Sequence, residues 1–181
     1  MNDNDIFVII RNILLAGLNT MGISGVQVKQ NFQADQGGVP TPPAIFFHKI
    51  AANRYGFPGR RSIWNEANQN FDHVETTWRR ATYQITGLAI QDPSDLSQLT
   101  AADLVEAASD ILQLDAARDM MKAEDESLNI ERIQDIRTPY FTDERKRYEQ
   151  SPSFDFVLSY QKRFVSTAQP VTAKELNFNR V

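Results

Sequence analysis

Near the N-terminus apolar residues recur every three to four positions. Ile6, Ile9, Ile10, Ile13, Leu14 and Gly17 share one face, and the spacing predicts a helix over 4–19 capped by Asn4 or Asp5. Phe7, Leu15 and Leu18 make its other sides apolar too, so the helix is expected to be buried on more than one side, in part by another subunit. Gly22 and Gly25 break the pattern, and the period then changes to two. Val26, Val28 and Phe32 alternate with Gln27, Lys29 and Asn31, the signature of a half-buried strand. The Gly- and Pro-rich stretch 33–43 reads as an extended loop. Residues 44–50 read as a second strand, 53–59 as a turn-rich stretch, and 60–64 as a short strand.

The longest β pattern covers 72–91, with Val74, Thr76 and Trp78 in one phase. Gly87 shifts that phase and is expected to mark a bulge. Thr100, with Asp103 three residues on, predicts a capped helix whose buried stripe is Leu104, Val105, Ala108, Ile111 and Leu112. Asp115 is expected to cap a short helix after it. A strand over 127–136 shows a phase slip between Ile130 and Ile133. The chain then alternates cleanly over 153–165, with Phe154, Phe156, Leu158 and Tyr160 on one face. Between these two strands, 138–152 is charged and rich in Tyr. Strands and helices do not alternate, so the expected fold is α+β: a mostly antiparallel sheet with helices packed on one face. One domain over 1–168 and an extended C-terminal tail over 169–181 are expected.

Composition removes most chemistry. The 181 residues contain no Cys and two His, His48 and His73. Thiolate metal sites, disulfides and cysteine nucleophiles are therefore excluded, and one chain cannot build a three-histidine metal site. No Gly-rich phosphate loop or nucleophile elbow is present: Gly37-Gly38 lacks the following Lys-Ser/Thr, and the spacing of Gly22-Ile-Ser-Gly25 is one residue short. The acidic run Glu124-Asp-Glu126 reads as a solvated turn. No catalytic, cofactor or metal-binding residues are expected. The apolar run Ile6–Leu18 is broken by Arg11 and is too short for a membrane span of about 20 residues. Asp3 and Asp5 precede it where a signal peptide would carry basic residues.

The net charge of −4 lowers the expectation of tight nucleic-acid binding. The charge is unevenly placed. Residues 1–90 carry 8 basic against 6 acidic side chains, and residues 91–181 carry 11 against 17. Surfaces of opposite sign on one chain favour head-to-tail association. The basic pairs and their aromatic neighbours, Arg60, Arg61, Trp64, Trp78, Tyr140 and Tyr148, are the candidate subunit or partner interface. Trp, Tyr and Arg are the residue types enriched at such contacts. A nucleic-acid surface uses similar residues, but the acidic total favours the interface.

The phrases Gly25-Val-Gln-Val-Lys-Gln-Asn-Phe-Gln33, Pro42-Pro-Ala-Ile-Phe-Phe47, Tyr83-Gln-Ile-Thr-Gly-Leu-Ala-Ile-Gln-Asp-Pro93 and Ser151-Pro-Ser-Phe-Asp-Phe-Val-Leu158, in this order of elements, resemble the neck and tail-terminator proteins of long-tailed bacteriophages, including those called gateway proteins. The resemblance implies a structural virion protein without catalytic residues or cofactors, assembled in the host cytoplasm and located at the head–tail junction. It implies a homo-oligomeric ring, commonly a hexamer, that ends the tail tube, meets tail-tube and neck proteins, and lets genomic DNA pass. No membrane is involved. Another neck component, a collar or head-completion protein, would share these features, and a nucleic-acid-binding accessory protein is the more distant alternative. The first helix, the Pro-rich loop and the tail are expected to be the clasping elements. Six copies would carry −24, which suits a bore lined by acids.

Overall fold

The computed structural model describes residues 1–30, 43–89, 94–95, 97–142 and 148–168; residues 140–142 and 148–150 are described by their backbone. In chain order the elements are α1 (Asp3–Thr20), β1 (Gln27–Gln30), β2 (Ala44–Asn65), β3 (Asn70–Leu88), α2 (Ala101–Gln113), α3 (Asp115–Glu124), β4 (Asn129–Ile133), β5 (Tyr140–Thr142), β6 (Tyr148–Gln150) and β7 (Ser153–Ala168). The architecture is α+β. Five strands form one mixed sheet in the order β1-β2-β3-β7-β4, and β5 and β6 form a separate two-stranded ribbon. β1 runs parallel to β2, and the remaining pairs are antiparallel.

Period-two alternation decides which face the helices cover. Ile85 lies opposite Phe47 on one side and Phe154 on the other; Tyr83 lies opposite Phe156, and Ala81 opposite Leu158. These side chains point to one face of the sheet. They form a single hydrophobic cluster with Ile6, Ile10, Ile13 and Leu14 of α1 and Leu104, Val105, Ala108 and Ile111 of α2. Phe7 stacks on Phe47 with ring centroids 4.7 Å apart, and Lys49 Nζ donates to Asp3 Oδ1 at 2.7 Å. The start of α1 is thereby held over β2. The opposite face carries polar contacts instead: Arg137 Nη2 and Gln84 Nε2 donate to the two carboxylate oxygens of Asp155.

Both long helices begin with a reciprocal cap. Thr100 N donates to Asp103 Oδ2 at 2.8 Å and Asp103 N donates to Thr100 Oγ1 at 3.0 Å, as the sequence spacing predicts. For α1 the cap is Asn2, paired with Asp5, rather than Asn4 or Asp5 itself. α3 has no side-chain cap: Leu114 occupies that position, and Asp115 instead pairs with Arg118 one turn on, at 2.8 Å.

Two further expectations are corrected, and one element is added. The stretch 53–59 is no turn between two strands, because β2 runs unbroken from Ala44 to Asn65. Its register slips once between Lys49 and Ala51 and again between Tyr55 and Gly59. Among the described residues β2 has no neighbour on its second side beyond Phe47, so Pro58 loses no ladder bond there, and Gly56 takes the positive φ of 71° that the second irregularity requires. Gly87 is not at a bulge either. It pairs regularly with Ile45, and a Cβ there would lie 2.5 Å from the Ala101 carbonyl oxygen and 2.8 Å from Val105. The glycine lets the first turn of α2 sit directly on β3. Within 138–152 the chain forms the β5–β6 ribbon, which its irregular sequence pattern does not indicate. The phase slip in the fourth strand is real: the β4–β7 register shifts between Ile130 and Arg132. The Pro-rich loop, all but Pro43, and the 169–181 tail lie outside the described residues.

Gly87→Ala is expected to lower the unfolding free energy by about 1–3 kcal/mol, because the contact is with backbone that must shift as a unit. Urea unfolding followed by far-UV circular dichroism measures it; a midpoint equal to wild type would contradict the close-packing role.

Candidate assembly surface

A strand advances about 3.3 Å per residue and an α-helix about 1.5 Å. β2 and β3, at 22 and 19 residues, therefore far outreach the 13-residue α2 and the 10-residue α3. β7, at 16 residues, keeps pace with β3 out to Ala168, which pairs with Phe71. The outer parts of β2, β3 and β7 form a three-stranded arm beyond the helix-covered core, spanning roughly 53–65, 70–79 and 160–168.

The arm is apolar on both faces. Continuing the helix-covered face outward along β3 leads to Phe71, whose register neighbours are Trp64 and Ala168, and Phe164 lies nearby opposite Glu75. Trp64 and Phe71 meet edge to face, with centroids 4.9 Å apart, and both remain more than a third exposed. Ile63, Val165 and Trp78 line the other face, and Val74 is buried between its register neighbours Arg61 and Val165. Among the described residues, most large exposed hydrophobics belong to this arm or its root: Ile50, Phe57, Ile63, Trp64, Phe71, Phe164 and Val165. Exposed apolar clusters of this kind mark protein–protein contact sites. The open edge of β2 is protected against strand addition by its two irregularities and by Pro58, so contact is directed through side chains.

Four of the six candidate interface residues come together here. Arg60 pairs with Glu75 at 2.9 Å on the face that also carries Trp64. Arg61 and Trp78 lie on the opposite face, in a shallow recess with Phe57 and Gln161. Trp78 packs near Tyr55, and Arg80 lies over the Tyr55 ring at 4.7 Å while also pairing with Glu131 of β4. Tyr140 and Tyr148 belong elsewhere, to the backbone ribbon of β5 and β6, where Tyr148 pairs with Thr142. Sequence reading missed Phe57, Ile63, Phe71, Phe164 and Val165. The signal available was strand length: an unbroken β2 and β3 must extend past the helices. α1 is less available than its all-round apolarity suggests, since Ile6, Ile9, Ile10, Ile13, Leu14 and Leu18 are buried within the same chain.

Titratable groups show no convergent chemistry among the described residues. Burial pushes Tyr83 well above the usual phenol range and lowers His48, and the hydrogen bonds from Ser97 lower Asp95. Tyr83 faces the helices, whereas His48, opposite Gln84, faces away, so they form no proton-transfer pair. No group of three or more metal-ligating side chains occurs among the described residues, and no described helix is long and apolar enough to cross a membrane.

Because the arm lies outside the core, Trp64→Ala and Phe71→Ala are expected to change folding stability by only about 1 kcal/mol. Phe156→Ala, fully buried, is expected to cost about 3–5 kcal/mol. Urea denaturation of the three variants distinguishes an assembly surface from a structural one; equal losses would contradict the assignment.

No curated protein matches the chain. A family model described as "E217 gateway protein gp29" matches residues 5–170, which includes α1 from Asp5 onward, the other helices, the sheet and the whole arm.

Proposed function

The chain belongs to the E217 gateway protein gp29 family, a phage gateway and neck protein family, and from that premise we propose that it closes into a homo-oligomeric ring, a hexamer, at the head–tail junction. The ring ends the tail tube, contacts tail-tube and neck proteins, and leaves a hole through which genomic DNA passes. The two-faced apolar arm carries this reading. A soluble monomer has no use for aromatic residues on both faces of a projecting ribbon, whereas a neighbouring copy covers them. Arg60, Arg61, Trp64 and Trp78 are then contact residues between copies, and Tyr140 and Tyr148 are assigned to contacts with neighbouring subunits or neck proteins.

The charge balance supports transit rather than capture of DNA. Duplex DNA carries one charge per about 1.7 Å, and a bore lined by basic groups would retain it. A chain at −4 whose arginines are engaged with acids or turned to neighbours offers little retention. The nucleic-acid-binding alternative has no comparable structural support.

Light scattering on the purified chain is expected to give about six times 20.6 kDa, with annular particles in negative stain. Retention on a DNA column is expected to be negligible at physiological salt. A 20.6 kDa species at all concentrations contradicts the ring, and strong salt-sensitive retention contradicts the passive bore.

A further inference from the structure

We infer that Phe57 of one copy seats in the groove between α3 and β4 of the next copy, and that this contact sets the direction in which the ring closes. The inference rests on the ring proposed above and specifies its interface.

Phe57 is 99% exposed. It lies between Gly56 and Pro58, in the register irregularity that pushes β2 outward opposite Thr77. Phe57 borders the shallow recess of Arg61, Trp78 and Gln161 without being covered by it, so among the described residues this aromatic side chain is a knob that its own chain does not bury. A recess of about 580 Å³ lies between the α2–α3 corner and β4. Leu112, Leu114, Met121, Ile130, Ile133 and Ile136 supply its apolar lining. The other nine lining residues are polar or charged, among them Asp115, Arg118, Glu131 and Arg132, so the recess is of mixed character, with an apolar part that accepts one aromatic ring and polar groups for the flanking residues of the bulge.

Charge and topology select a second copy as the occupant. The arm, 53–80 with 160–168, carries seven basic residues (Arg54, Arg60, Arg61, Arg79, Arg80, Lys162 and Arg163) against three acidic ones. The stretch 101–126, which includes the helical wall of the groove, carries eight acidic residues against two basic ones, Arg118 and Lys122; of these charges Asp115 and Arg118 line the groove and the rest surround it along α2 and α3. The two surfaces are of opposite sign and belong to the same chain, so each copy offers the complement of its neighbour. Phe57 is on β2, an edge strand at that point, and the groove borders β4, the edge strand at the other end of the sheet. Knob and hole lie on opposite edges, so their contact joins two different patches. A two-fold pair would exchange them reciprocally and stop at a dimer, whereas the ring proposed above repeats the contact in one sense around the circle.

The absence of cysteine makes the test direct. Phe57→Cys and Leu114→Cys introduce single thiols at exposed positions, and a short bismaleimide joins them when they are adjacent. Mixing the two single variants is expected to give a covalent dimer, and the F57C/L114C double variant a ladder of multimers. F57A is expected to weaken assembly at least about tenfold by dilution light scattering, with an unchanged urea midpoint. Rings of normal mass without cross-linking between copies overturn the contact while leaving the ring intact. Normal rings of F57A that fail to join the virion neck also overturn it, by assigning the knob to a different neck protein. A monomeric wild-type chain at every concentration overturns the ring and the contact together.

Discussion

Secondary-structure elements of similar residue number differ about twofold in length, and this mismatch governs the molecule. Three helices over a sheet whose central strands reach 22, 19 and 16 residues can cover only the proximal part. There the packing is dense: α2 approaches so closely that Gly87 has no room for a side chain, and Gly17 of α1 lies equally close to Ile111. Beyond Ala81 the same three strands continue without a cover among the described residues. Their alternation, which in the core separates a buried from a polar face, places apolar groups on both sides of the arm. One continuous ladder therefore joins a helix-covered core to an arm with exposed apolar groups, which the proposed assembly covers with a partner.

The charge distribution follows the same division. Net charge is small, but the arm is basic and the α2–α3 layer acidic. In the proposed ring, opposite signs at opposite ends steer copies into head-to-tail encounter and disfavour arm-to-arm pairing. The apolar groups then supply the adhesion. The irregular edge of β2 adds specificity, because its slips and Pro58 impede an open-ended β-sheet between chains.

Local signals made much of the core readable in advance. Thr100 and Asp103 announce the α2 cap, the alternation of Phe154, Phe156, Leu158 and Tyr160 gives the buried face of β7, and the spacing of Ile130 and Ile133 reveals the slip in β4. The arm was harder to see because its residues carry contrary local signals. Gly56 and Pro58 punctuate like a turn, yet pairing with β3 on one side keeps β2 extended through them. Phe57 consequently reads as a turn residue rather than a projecting knob. Gly87 looks like a strand defect, and only the position of Ala101, fourteen residues on, explains it. The groove joins a helix corner to an edge strand, a proximity set by tertiary packing that no periodicity encodes.

Both tryptophans of the chain, Trp64 and Trp78, lie on the arm, so intrinsic fluorescence reports on this element alone. The most direct measurement of the central claim is tryptophan emission followed together with mass over a dilution series. The account predicts a blue-shifted, quencher-protected emission in the assembled species that moves toward the red as the mass falls to 20.6 kDa. Emission that stays constant while the mass changes would mean that neighbouring copies meet elsewhere and leave the arm in water.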